Sequence, residues 1–337
     1  MKPTDFAIHL TGFLSEYLPR QKNASKNTIT SYRDTFKLLI RYCQEQRNMP
    51  VERLNLNMLT HGLIKDFLEW LETSKKCSIS TRNQRLAAIH SFFRYAQYEE
   101  PEGILHFQKV ISLPIKKTQK PSIPHLIPEA MKLLLSQPDK TTPKGRRDLT
   151  LLSILYDSGC RVQELVDLRV RDIVLNNPGV LILTGKGNKV RRVPLLKNAL
   201  ALLSRYIQEN SLNVNWKSDC PLFTNKQHNK LTKEGIAYII SQYVCSARRI
   251  STIVPEKVTP HMFRHSKAMH LLQAGVNLIY IRDFLGHEGI KTTETYAKCD
   301  TELKRQAIES AYPDLVDINL PDWSEDASLL NWLSKLK

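Results

Sequence analysis

The chain has 337 residues, 42% of them hydrophobic and only 12 of them glycine, which excludes a disordered polypeptide and leaves room for two domains, each with its own core. Its formal charge is +16, and residues 1–120 hold 19 Lys and Arg against 11 Asp and Glu, so both parts of the chain carry about +8. Six widely spaced cysteines with no C-x-x-C pair exclude a zinc ribbon and a disulfide framework, and reduced thiols are expected.

A basic surface on two domains fits a polyanion that touches both, and nucleic acid is the commonest such partner. A merely basic soluble protein is the plainer alternative. The N-terminus, Met-Lys-Pro-Thr-Asp, offers no apolar run for a signal, and no stretch approaches the length of a membrane span. No membrane partner is expected, and the expected location is cytoplasmic, in association with the nucleoid.

Residues 5–110 read as helices. Phe6, Leu10, Phe13, Leu14 and Tyr17 recur at spacings of three and four, and Ser25 caps a second segment with Ile29, Tyr32, Phe36, Leu39 and Ile40 on one face. Residues 59–73 and 79–98 continue the pattern, giving a bundle of four to five helices over residues 1–112. Arg82, Asn83, Arg85 and Arg94 fall on the polar side of its last long helix, where they are candidates to face phosphates; a solvated charged face is the alternative for each. Residues 113–125 hold three prolines and three lysines, which predicts a stiff, extended connector with no core residues. Lys116 and Lys117 on it are further DNA-contact candidates, although a simple spacer has the same composition.

The second domain is expected over 126–312. A helix near Pro128 and another at 146–157 precede two β-like runs, 179–184 and 189–194, joined by the hairpin-turn residues Gly185-Lys186-Gly187-Asn188. Helices are predicted at 195–209, 232–249, 261–273, 277–285 and 301–311. The fold class is therefore mainly α with a small antiparallel β-sheet.

Four local patterns carry chemistry. Arg161 follows a glycine at the start of a helix, with Glu164 three residues on; a helix N-terminus already attracts anions, and a guanidinium there adds a bidentate donor. Taken alone, this is an i,i+3 surface ion pair. Lys186 sits in the glycine-flanked hairpin, followed by Lys189 and Arg191 as basic DNA-contact candidates; the spacing of a Walker loop is absent. His261, Arg264 and His265 share a helical face behind the cap Thr259-Pro260, with Phe263 turned inward. Two histidines four apart suit zinc only with an adjacent glutamate, and the arginine between them repels a cation, so an anion site fits better and one histidine is expected to be structural. Finally, His287 follows Leu285-Gly286, and Tyr296 lies nine residues further on.

In this order the set Arg161, Lys186, His261, Arg264, His287 and Tyr296 closely resembles the tyrosine recombinase (phage integrase) family, which includes mobile-element integrases and Xer-like recombinases. The family pattern is R-x-x-E, a G-K-G hairpin lysine, H-x-x-R-H, L-G-H and then a tyrosine. The resemblance covers roughly residues 145–300, and the helical N-terminal part is similar to the family's SAM-like core-binding domain. One departure is Lys298, where many members have histidine.

The resemblance implies a site-specific recombinase that cleaves and rejoins DNA through a 3′-phosphotyrosine at Tyr296. It assigns Arg161 and Arg264 to the phosphate oxygens, His287 to a further hydrogen bond, His261 to the phenol proton and Lys186 to the departing 5′-oxygen, with Glu164 and His265 supporting. No metal, ATP or other cofactor is implied. The implied partners are double-stranded DNA, three further copies in a homotetramer on paired sites, and accessory recombinases. Residues 313–337 form an acidic, amphipathic tail: Asp322 and Glu325 suit a capping box before Leu329, Trp332, Leu333 and Leu336, and docking on the same or a neighbouring protomer is left open. The tail resembles those of mobile-element recombinases, implying integration, excision or transposition. A type IB topoisomerase-like strand transferase and a non-catalytic architectural DNA-binding protein are the alternatives.

Overall fold

Hydroxyl and asparagine caps set where many of the helices begin. In the computed structural model, which describes residues 2–118, 123–176, 178–287, 289, 293, 294, 296 and 331–335, the chain divides into two units, Met1–Pro121 and Ser122–Lys337. The first is helical. Thr4 caps α1 (Asp5–Gly12), which widens into a π-helical stretch, Phe13–Gln21, around Pro19, a residue with no N–H to donate. Ser25 caps α2 (Lys26–Arg47), Thr60 caps α3 (His61–Thr73) and Ser78 caps α4 (Ile79–Glu99), each hydroxyl accepting a backbone N–H from the first turn. The short α5 (Ile104–Ile111) completes the bundle.

Aromatic rings fill its core. Phe92 on α4 lies 5.1 Å from Phe36, 5.5 Å from Phe13 and 5.8 Å from Phe6, mostly edge to face. Phe92→Ala should therefore cost this unit about 3–5 kcal/mol, read as a lower denaturation midpoint by circular dichroism.

The connector differs from its expected form. Leu113 is buried and belongs to the core of the first unit, and Pro114 and Lys116 are held there by side-chain hydrogen bonds described below. Ile123 packs against buried residues of the second unit. Composition predicted a segment with no core residues because prolines and lysines outnumber the two apolar side chains that do the anchoring.

The second unit begins with α6 (Pro128–Leu135) and α7 (Pro143–Asp157), the latter starting one turn before the expected 146 because Thr142 caps it and Pro143 occupies its first position. After α8 (Val162–Asp167), a three-stranded antiparallel sheet forms in the order β1 (Ile173–Val174), β2 (Val180–Thr184), β3 (Val190–Pro194). Leu181 and Leu183 point to the core from β2 and Val193 from β3, the alternation of a half-buried sheet. The β2–β3 turn has Gly187 at φ 73° and Asn188 at φ 58°, the left-handed pair that a tight hairpin needs. Strand β1 was not foreseen: two residues are too few to show a period of two. Helices α9 (Lys197–Glu209), α10 (Lys233–Arg248), α11 (Pro260–Gln273) and α12 (Leu278–Leu285) follow close to their predicted limits. The expected helix at 301–311, Lys298, Asp322, Glu325, Leu329 and Leu336 lie outside the described residues, whereas Trp332 and Leu333 are exposed. Among the described residues no helix is long and apolar enough to cross a membrane.

Candidate active site

Arg161 occupies the N-cap position of α8. Its backbone N–H donates to Glu164 Oε2 at 2.8 Å and its Nη1 to Glu164 Oε1 at 2.9 Å. The i,i+3 pair is thus a closed ring around the start of the helix, with the Glu164 carboxylate only 3% exposed. Burial alone would raise the Glu164 carboxyl, but hydrogen bonds and charge from Arg191 and Arg161 hold it below the usual range.

The last carbonyls of α12 collect three arginines. Arg161 Nη2 donates to Gly286 O at 3.3 Å, Arg191 Nε to Phe284 O at 3.1 Å and Arg264 Nη2 to Leu285 O at 2.6 Å. Helix C-termini leave carbonyls unpaired and carry partial negative charge, so guanidinium groups gather there. Gly286 closes the helix at φ 66°, and a Cβ on it would lie 2.9 Å from Arg191 Cδ. Arg264 is 4% exposed and also donates from Nη1 to Gly159 O at 2.7 Å. Burial, then Arg161 and Arg191, pull its guanidinium down to about 10, which leaves it charged at neutral pH.

His287 stands immediately after this knot. Its Nδ1 lies 2.9 Å from the Thr293 hydroxyl, and its ring stacks on that of Tyr296 with centroids 6.3 Å apart and planes 10° off parallel. Tyr296 is 3% exposed, packed with Ala268, Met269, Ile281 and Leu285. Its hydroxyl is 2.8 Å from His265 Nδ1. Burial raises the phenol and the nearby Arg264 charge pulls it back.

Both inner histidines are held neutral. Burial, then His261, Arg264 and His125, bring His265 down to about 4; burial, then Arg264, Arg161 and Arg191, do the same for His287. Each neutral ring shares one hydrogen bond through Nδ1, His265 with the Tyr296 hydroxyl and His287 with the Thr293 hydroxyl, and the tautomer sets which partner donates. Because these folded-state values lie below the ordinary histidine value near 6.5, the unfolded chain binds protons first as pH falls. Stability contributed by the pair is complete above about pH 6.5 and is lost as pH falls towards 4. The melting temperature should accordingly drop across this window, and His265→Gln should drop less steeply when both proteins are followed by calorimetry.

Residues 125–302 match the model of the phage integrase family, and residues 11–100 match that of the phage integrase N-terminal SAM-like domain. The chain belongs to the phage integrase family. It is 34% identical over 313 residues, 93% of either chain, to y4rC of Sinorhizobium fredii, named as an integrase/recombinase. It is 31% identical over 303 residues to tyrosine recombinase XerC of Oceanobacillus iheyensis, covering 88% of this chain and 94% of that protein. Its fold is similar to that of the XerH site-specific recombinase in a pre-cleavage complex with difH substrate, with a TM-score of 0.66, 23% identity and coverage of 89% and 84% of the two chains. It is also similar to the Tn1549 transposon integrase in complex with transposon right end DNA, with a TM-score of 0.70, 17% identity and coverage of 90% and 98%. The protein is a site-specific recombinase of the tyrosine class, mainly helical with a small antiparallel sheet. The topoisomerase-like and architectural readings are not favoured.

Within this recombinase, Arg161, Glu164, Arg264, His265, His287 and Tyr296 converge. Lys186 is the first residue of the β2–β3 turn, and its side chain lies outside the described residues. The ring against the phenol belongs to His265; His261 is exposed, stacked on His265 at 6.3 Å between centroids. Spacing puts both histidines on one helical face and does not tell which one the tyrosine will reach.

Several DNA-contact candidates have protein partners. Arg82 is 6% exposed, with Nη1 donating to Asn83 Oδ1 at 3.1 Å and Pro114 O at 3.0 Å, and it pairs with Glu72 at 3.5 Å. Asn83 exchanges hydrogen bonds with the Lys116 backbone, and Lys116 Nζ lies 2.7 and 2.9 Å from the two Glu72 oxygens. These three residues clip the connector to the bundle, Arg82 and Lys116 through Glu72 on α3 and Asn83 through the Lys116 backbone. Arg191 is likewise paired, with Glu164. Arg94, Lys117 and Lys189 are exposed, and Arg85 lines a polar cleft of about 340 Å³ with Asn27, Ser31 and Asp34.

Two supports were missed. Ser266 Oγ accepts the Leu126 N–H at 2.8 Å, and His270 bridges Tyr156 OH and Leu126 O, each at 2.8 Å, tying residue 126 to α11. The i,i+4 spacing of Ser266 and His270 was visible, but their partner lies about 140 residues away. Among the described residues no group of three or more His, Cys, Asp or Glu could hold a metal ion.

Proposed function

We propose that this recombinase cleaves double-stranded DNA by attack of the Tyr296 phenol oxygen on a backbone phosphorus, leaving a 3′-phosphotyrosine and a free 5′-hydroxyl. What carries the reading is the meeting of a phenol, two histidines and two arginines from distant parts of the chain, with Tyr296 OH 2.8 Å from His265 and its ring stacked on His287. Arg161 and Arg264 each spend part of a five-hydrogen donor set on protein carbonyls and carboxylate, and the remaining N–H groups serve the non-bridging phosphate oxygens. His287 adds its Nε2–H. His265 holds the buried phenol at rest; as the ring turns outward to the phosphorus, the exposed His261 takes the proton. Lys186, on the hairpin turn, protonates the departing 5′-oxygen.

The covalent bond conserves the energy of the cut linkage, so a second 5′-hydroxyl reverses the step without ATP or metal. Exchange between two duplexes requires four such cleavages, which calls for a homotetramer on paired sites, with accessory recombinases as further partners. Integration, excision or transposition of a mobile element is the biological setting we favour, in the cytoplasm at the nucleoid. The domain assignment follows the same reading: residues 1–112 bind DNA, 113–125 connect, 126–312 carry the chemistry and 313–337 form the tail.

A nicked suicide duplex tests the proposal. The wild type should form an adduct stable to SDS, and peptide mapping should place the nucleotide on Tyr296; an adduct on another residue, or none, would refute it.

A further inference from the structure

The β2–β3 hairpin carries Lys186 at its turn, and Gly185 just before it lies against Glu164 and Arg161, yet a two-stranded ribbon has no intrinsic reason to settle there. Arg191, on β3 opposite Leu183, supplies one. Its side chain is 12% exposed, and every guanidinium nitrogen is engaged: Nη1 donates to Glu164 Oε1 at 2.9 Å, Nη2 to Glu164 Oε2 at 2.7 Å and Nε to Phe284 O at 3.1 Å. The fork on the carboxylate fixes both distance and orientation, as a lysine point charge cannot. Gly286 closes against its stem, where a Cβ would meet Cδ at 2.9 Å.

We propose that Arg191 is a positioning residue for strand cleavage, tying the hairpin to the start of α8 and to the end of α12 so that Lys186, Arg161 and His287 face one phosphate. This rests on the cleavage reaction proposed above. Three of the five Arg191 donors, including both arms of the fork, are taken by Glu164 and Phe284, and its side chain is largely buried, so we assign it positioning and not phosphate contact. It also bears on the charge balance: Arg161 and Arg191 share the one buried carboxylate of Glu164 while Arg264 bonds only carbonyls, so the pocket keeps net positive charge for the incoming anion.

The test uses full-length Arg191→Ala and Arg191→Lys proteins on the suicide duplex, with Arg192→Ala, the exposed neighbour on the other face of β3, as control. DNA affinity should stay within about threefold of wild type, while single-turnover adduct formation from preformed complexes falls about 10²-fold in Arg191→Ala, the scale of a catalytic group misplaced by about 1 Å. Arg191→Lys, which keeps the charge but not the fork, should lose about tenfold and stay folded, and Arg192→Ala should cleave normally. The His287 imidazole, followed by NMR, should titrate at higher pH in Arg191→Ala than in wild type, a change that loss of stability alone does not produce. Wild-type cleavage rates in both Arg191 variants would overturn the inference. So would an affinity loss matching the rate loss, which would make Arg191 a DNA contact. Absence of any adduct from the wild type would overturn the underlying reaction and this inference together.

Discussion

Tyr296→Phe is expected to bind DNA bearing its recombination site as the wild type does, and to form no covalent adduct at all. Phenylalanine keeps the ring that packs with Ala268, Met269, Ile281 and Leu285 and stacks on His287, so the fold around it should persist. Only the oxygen is lost, along with its 2.8 Å hydrogen bond to His265, a stability cost of about 1 kcal/mol. Band shift and denaturing gels on the same nicked duplex check both halves. Residual adduct in the variant would remove Tyr296 from its role whatever the binding result.

Arg264→Ala should slow adduct formation by about 10²–10³-fold, the usual cost of one preorganised donor to a developing oxyanion. The same guanidinium also binds Gly159 O and Leu285 O in a region where it is 4% exposed, so its removal strands two buried carbonyls. The melting temperature should fall together with the rate. Arg264→Lys separates the two effects, since one ammonium restores charge but reaches only one carbonyl. Binding should change little in either variant, because phosphate contacts spread over a basic protein share the affinity. Single-turnover cleavage, calorimetry and band shift read the three quantities independently. A variant that cleaves normally once folded would place Arg264 in the scaffold alone.

Much of the architecture was legible along the chain because its signals are local. Ser25 and Ser78 sit where a helix must start, and Gly187-Asn188 can only turn. Residues 113–125 show where locality ends. Their prolines and lysines are what a linker needs, but whether Leu113 inserts into a core depends on the buried cluster that the rest of the first unit assembles.

The same division runs through the site. The candidate reacting groups are legible from residue type and order alone: Arg161 with Glu164, Lys186, His261 with Arg264, His287 and Tyr296 match one family pattern before any coordinate is known. Which neighbour each group meets was decided only in three dimensions. His265 rather than His261 bonds the phenol, Arg82 joins Glu72 instead of a phosphate face, and Arg191 grips Glu164 from 27 residues away. A periodicity reports the direction in which a side chain points, whereas a hydrogen bond needs its partner within about 3 Å, and that partner is delivered by packing between segments far apart in the chain.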